Sequence, residues 1–139
     1  ASAPRDTRPL LFDVRRADEY AVSHLPDAIR ISPARDADDF LREYRARLHG
    51  RGAVFYCTVG ARSSRLAAAV RERLTAADRS TVYNLRGGIL RWQAADLPLV
   101  NAAGPTSWAH PYDATWARLA PRADQLSKVP HNDPAPARR

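Results

Sequence analysis

Apolar positions fall into short compact runs separated by polar stretches with helical periodicity. Residues 10–14, Leu10-Leu11-Phe12-Asp13-Val14, follow Pro4 and Pro9 and end at Arg15, which predicts a buried strand. From 37 to 48 the apolar residues Phe40, Leu41, Tyr44 and Leu48 recur at helical spacing behind a string of Asp residues suited to a helix amino end. Gly50 and Gly52 close that helix, and Ala53-Val54-Phe55-Tyr56 reads as a strand buried on both faces. After a short loop, residues 65–74 are rich in Ala, Leu, Arg and Glu and predict a helix, with a Ser just before it expected to cap its free amides. Residues 82–85 predict a third strand, and after Gly87-Gly88 a helix over 89–95 is stopped by Pro98. Strands alternating with helices predict an α/β fold, a central parallel sheet with helices on both faces. Ligands gather outside the carboxyl ends of such strands, where Cys57 falls.

The last 39 residues have a different character, with six of the eleven prolines and too little apolar content for a second core. Trp108, Tyr112 and Trp116 are four residues apart, and a helix is expected to start near Pro111-Tyr112-Asp113. Their large apolar area predicts docking on the main domain, the alternative being a partner or substrate surface. The expected organisation is a domain over 8–100, an extension over 101–126 that packs on it, and a flexible tail over 127–139 containing Pro130, Pro134, Pro136, Arg138 and Arg139.

Composition narrows the classes. A chain of 139 residues has room for one core. No apolar run approaches the ~18–20 residues of a membrane-spanning helix, so a soluble protein with no membrane partner is expected. A single cysteine excludes an internal disulfide and any multi-cysteine metal site. The free thiol suits the cytoplasm, although the lack of any methionine suggests that the chain starts after processing, which leaves a removed leader possible. The net charge of +7 attracts anions, yet the basic residues are almost all Arg and are interspersed with acids, as in Arg71-Glu72-Arg73. That pattern reads as a solvated surface, and no nucleic acid is expected as partner.

Candidate chemistry centres on Cys57-Thr58-Val59-Gly60-Ala61-Arg62-Ser63, a strand-to-helix junction where backbone amides converge on a thiol. Such a field favours the thiolate and lowers its pKa from the usual ~8.5. Gly60 permits a tight anion cradle, and Arg62 closes the loop with a guanidinium able to hold an oxyanion through two hydrogen bonds.

Four segments of the chain together resemble the single-domain rhodanese-like sulfurtransferases. They are Leu11-Phe12-Asp13-Val14-Arg15 with Glu19-Tyr20, then His24-Leu25-Pro26-Asp27-Ala28, then the loop from Tyr56 to Ser63, and finally Asn84-Leu85-Arg86-Gly87-Gly88-Ile89-Leu90-Arg91-Trp92. The resemblance implies a rhodanese-like three-layer fold in which Cys57 accepts a sulfane sulfur from thiosulfate or a persulfide donor and passes it to a thiophilic acceptor, such as a thiol or cyanide, or to a sulfur-relay protein. It implies that Arg62 binds the anionic end of the donor and that Thr58, Val59, Gly60, Ala61 and Ser63 supply the amides that stabilise the persulfide. Arg86 is expected either to add positive field at the mouth or to be a solvated surface residue, while Asp13, Arg15 and His24 are expected as supporting residues. No metal or organic cofactor is implied, because sulfur–sulfur bonds exchange by thiolate displacement. Ser23 and Asp27 stand where the family often has Gly.

Two other readings compete. A phosphatase or arsenate reductase also pairs cysteine with arginine around an anion cradle, but over a loop one residue longer than the four residues between Cys57 and Arg62. A non-enzymatic docking or relay module would use the aromatic extension as its contact surface.

Overall fold

A computed structural model describes residues 7–133. The Pro4 position and the end of the expected tail, with Pro134, Pro136, Arg138 and Arg139, lie outside the described residues. Three of the apolar runs become adjacent parallel strands: β1 (Leu10–Asp13), β3 (Ala53–Tyr56) and β4 (Val82–Asn84). A two-residue strand, β2 (Ile29–Arg30), completes one edge, and the sheet order is β2-β1-β3-β4.

Because side chains alternate along a strand, the sheet has two faces of different make-up. Phe12 and Phe55 point to one face, where they meet Phe40 and Tyr44 of α2 (Ala37–Leu48) with ring centroids 4.9–5.4 Å apart. Leu66 and Val70 of α3 (Ala61–Arg73) close this side. Each such side chain, when fully buried, contributes about 1.5–3 kcal/mol. Tyr56 points to the other face, against Leu25, Ile89 and Leu90, the last two from α4 (Gly88–Ala94). Ala109 and Ala120 of the C-terminal extension join this second cluster. The expected α/β architecture, a parallel sheet with helices on both faces, is what the chain forms.

The helix over 37–48 has the predicted bounds, with Asp36 as its cap: the Asp36 carboxylate accepts from the Asp39 amide at 2.8 Å. The helix after Cys57 differs from expectation. It begins at Ala61, a full turn earlier than residue 65, and its cap is Gly60 in the left-handed region at φ 105° without a side-chain cap bond. Ser63 and Ser64 therefore lie inside the helix rather than capping it. A short helix α1 (Ala17–Val22) was not anticipated either.

In the extension, β5 (Leu99–Asn101) and β6 (Gly104–Thr106) pair as an antiparallel hairpin. The last helix, α5 (Ala114–Leu119), starts behind Asp113, close to the expected point, and leaves Trp108 outside it. Residues 127–133, expected in the tail, carry hydrogen bonds to the hairpin and to Trp108. Asn132 exchanges side-chain bonds with Asn101 at 3.1–3.2 Å, and the Trp108 indole donates to the Asp133 carbonyl at 3.0 Å. Such polar bonds leave no hydrophobic period in the sequence.

Candidate active site

Cys57 follows β3 at the carboxyl edge of the sheet and is 1% exposed. Its Sγ accepts the Gly60 amide at 3.2 Å, and the Ser63 hydroxyl lies 3.5 Å away. That hydroxyl has one proton and three acceptors in reach: Sγ, the Gly60 carbonyl at 3.2 Å, and Asn84 Oδ1 at 2.6 Å. The Asn84 amide in turn donates to the Gly60 carbonyl at 3.1 Å, which holds the turn against the end of β4. Burial pushes the thiol up, but the Ser63 hydroxyl, the Ser63 and Gly60 amides and the Arg62 charge outweigh it and leave Cys57 below its ordinary value.

The loop is clamped from behind by α4. The amides of Ile89 and Leu90 donate to the carbonyls of Cys57 and Thr58 at 2.9 and 3.2 Å. Gly88, at φ 58°, lets the two segments touch, since a β-carbon there would run into those same carbonyl oxygens.

Arg62 reaches the site from the first turn of α3, but its fork is already filled. Its two terminal nitrogens each donate to Glu19 at 2.8 Å, and one also donates to the Thr58 hydroxyl at 2.8 Å. Glu19 is fully buried on α1 and is also 3.3 Å from Arg16. Burial raises the Glu19 carboxyl, and the Arg62 contacts overcome this and hold it below its ordinary value. The Arg62 fork is thus satisfied within the protein and has no terminal nitrogen left without a partner. The flat face of the guanidinium is covered by the Tyr112 ring at 4.1 Å.

The remaining sequence-derived positions separate clearly. Thr58, Gly60 and Ser63 are buried around the thiol, Val59 is half-buried, and Ala61 is exposed at the start of α3. Arg86 is exposed, beside the Gly87 turn, and makes no hydrogen bond or ion pair among the described residues. Asp13 and Arg15 form a fully buried pair through two 2.7 Å bonds. Arg15 also donates to the Ser23 carbonyl at 2.6 Å, and the Tyr56 hydroxyl donates to Asp13 at 2.7 Å while accepting the Leu25 amide at 3.1 Å. This pair fastens strand ends and touches no sulfur. His24 stacks on Tyr20 at 3.7 Å and bonds backbone to Val100. Among the described residues no group of three His, Cys, Asp or Glu side chains is placed to hold a metal ion, and no helix is long and apolar enough to cross a membrane.

Glu19, Asn84 and Tyr112 are site residues that the sequence reading did not assign. Glu19 and Asn84 stand within the segments that carry the resemblance and Tyr112 within the aromatic run of the extension, but none of them reads as facing the thiol loop.

A buried thiol beside backbone amides at the carboxyl edge of a parallel sheet marks an α/β domain with a cysteine loop, and comparison with known proteins narrows the class. A family model described as the rhodanese-like domain matches residues 1–95. A curated relative from Allochromatium vinosum, named sulfurtransferase, is 34% identical over 68% of this chain and 81% of its own. Among solved structures, a Bacillus halodurans protein superimposes with a TM-score of 0.56 at 23% identity, over 71% of this chain and 67% of that one, a likeness of fold. A Saccharomyces cerevisiae protein described as a homologue of single-domain rhodanese and of the Cdc25 phosphatase catalytic domain gives a TM-score of 0.52 at 28% identity, over 61% of this chain and 64% of its own. The chain belongs to the rhodanese-like domain family.

Proposed function

We propose that the protein is a sulfurtransferase that moves a sulfane sulfur from thiosulfate or a persulfide donor to a thiophilic acceptor by way of a persulfide on Cys57. The observation that carries this reading is the Sγ environment: a buried thiol that accepts the Gly60 amide, lies beside the Ser63 hydroxyl and titrates below its ordinary range. The Cys57 thiolate attacks the outer sulfur of thiosulfate, a new sulfur–sulfur bond forms, and sulfite leaves with the electron pair of the bond that breaks. The terminal sulfur then carries the negative charge, which the amides from Thr58 to Ser63 stabilise. A nucleophilic acceptor takes that sulfur and restores the Cys57 thiolate, so the cycle needs no outside oxidant or reductant. With cyanide as acceptor the product is thiocyanate.

Arg62 and the exposed Arg86 supply the positive field for an anionic donor, Arg62 sharing its charge with Glu19 as the donor arrives. A thiol or a sulfur-relay protein serves as acceptor, and a cytoplasmic setting fits the lone free thiol. The short loop between Cys57 and Arg62 favours sulfur over phosphate.

The test is intact-protein mass spectrometry after incubation with thiosulfate, beside Cys57→Ser. A gain of one sulfur atom on the wild type alone, removed by cyanide or a thiol, is the expected result. Sulfur loading of the Cys57→Ser protein, or no loading of the wild type by thiosulfate or any persulfide donor, overturns the proposal. A phosphate-ester assay then distinguishes a phosphatase from a docking module.

A further inference from the structure

Tyr112 carries the extension to the Arg62 side of the site. Tyr112 is half-buried, and its ring lies 4.1 Å from the Arg62 guanidinium and 5.5 Å from that of Arg16. A tyrosine gains from such a position because its ring face is negative and excludes water from the cation. Its backbone is in the left-handed region at φ 73°, a conformation disfavoured for a bulky residue and held only where the surroundings over-determine it.

Those surroundings are present. The Tyr112 amide donates to His110 Nδ1 at 2.9 Å, and His110, 3% exposed, has its other ring nitrogen 3.5 Å from Asp18 of α1. On the far side Asp113 caps α5 through the Trp116 amide at 2.9 Å. Upstream, Ala109 is bonded to the backbone of Gln125 and Ser127, and the Gln93 amide of α4 donates to the carbonyls of Ser107 and Gln125 at 2.9 and 2.8 Å. The extension thus presents one aromatic ring, from a fixed backbone, to the guanidinium that bonds Thr58, the residue next to the thiol.

We propose that Tyr112 is a positioning residue for the Cys57 site, its ring pressing Arg62 onto Glu19 and Thr58 and so fixing the charge and the loop around the sulfur. The inference rests on Cys57 being the reacting group of the proposed transfer. Without the ring, water reaches the free face of the guanidinium, its field at Sγ is screened, and the thiolate loses part of its stabilisation.

The chain has a single cysteine, so alkylation by iodoacetamide reports on Cys57 alone. The readout is the pH midpoint of the alkylation rate, which follows the thiolate fraction; the plateau rate reports access instead. Tyr112→Ala is expected to raise the midpoint, slowing alkylation near neutral pH roughly threefold or more relative to its plateau. Tyr112→Phe keeps the ring and is expected to keep the wild-type midpoint. Tyr112→Leu, which retains apolar bulk without a ring face, is expected to behave like Tyr112→Ala and replaces it should Tyr112→Ala melt before assay. In an Arg62→Ala background Tyr112→Ala is expected to add nothing. An unmoved midpoint in the folded Ala or Leu variant, an equal shift in Tyr112→Phe, or a further shift without Arg62 overturns the proposal. Alkylation uses no sulfur donor, so failure of sulfur loading by thiosulfate or persulfides removes the sulfur-transfer reading and leaves this test standing.

Discussion

Two carboxylate–guanidinium forks sit near the carboxyl edge of the sheet, with similar geometry and different surroundings. In Asp13–Arg15 both side chains are 0% exposed, the two bonds are 2.7 Å, and the other partners are Tyr56 and the Ser23 carbonyl. In Glu19–Arg62 the carboxylate is equally buried, but the guanidinium is 20% exposed and covered by an aromatic ring that belongs to a separate segment. The first fork is enclosed by the scaffold and joins β1, β3 and the turn before β2. The second adjoins the thiol through Thr58, and on the proposed function its charge is re-divided between Glu19 and the anionic donor. The contrast separates a fork closed in by the scaffold from one whose guanidinium keeps a route to solvent, and on the proposed function only the second is open to a ligand.

The sharpest way to break this comparison is Arg15→Ala. It strands a buried Asp13 charge and is expected to cost about 3–5 kcal/mol in denaturant unfolding, whereas replacing Asp13 and Arg15 together by apolar residues costs less. A loss below about 1 kcal/mol from the single change would show that the enclosed fork fastens nothing.

Arg62→Ala is expected to cost less, about 1.5–3 kcal/mol, because its guanidinium is partly solvated and Arg16 still faces Glu19. It is expected to raise the Michaelis constant for an anionic donor and to raise the alkylation midpoint of Cys57. An unchanged midpoint would remove Arg62 from the electrostatics of the sulfur.

Glu19→Gln gives the smallest stability effect, about 0.5–1.5 kcal/mol near neutral pH, and shifts the thiol in the opposite direction. Loss of the negative charge leaves more of the Arg62 field for the sulfur, so the midpoint falls. The sign of its pH dependence follows from a carboxyl held below its ordinary value of 4.5. Its contribution is complete above that value and is lost as pH falls through the lower folded value, so wild type and Glu19→Gln melts converge in acid.

The parts of this molecule legible in the sequence are those whose information is contiguous. The runs at 10–14, 53–56 and 82–85 and the period of Phe40, Leu41, Tyr44 and Leu48 fix the sheet and one helix. The loop from Cys57 to Ser63 is legible for the same reason. What escaped the reading is assembled over distance or without apolar pattern. β2 has two residues, too few for any period, and α1 buries a charged Glu19 where an apolar residue would have marked the face. Glu19 meets Arg62 across 43 residues and Asn84 meets Ser63 across 21, and nothing local announces either contact. The early start of α3 was hidden because its cap is a left-handed glycine, Gly60, four residues before the serine at which a hydroxyl cap was sought.

The clamp of α4 on the carbonyls of Cys57 and Thr58 bears on how the site meets its ligands. With those two peptide planes pinned from behind, their orientation is set once, when the chain folds, and reorganisation at each encounter is small. A receptor of that kind adapts little to what arrives. On the proposed function, selection then falls to the size and charge of the visitor rather than to any remoulding of the loop around it.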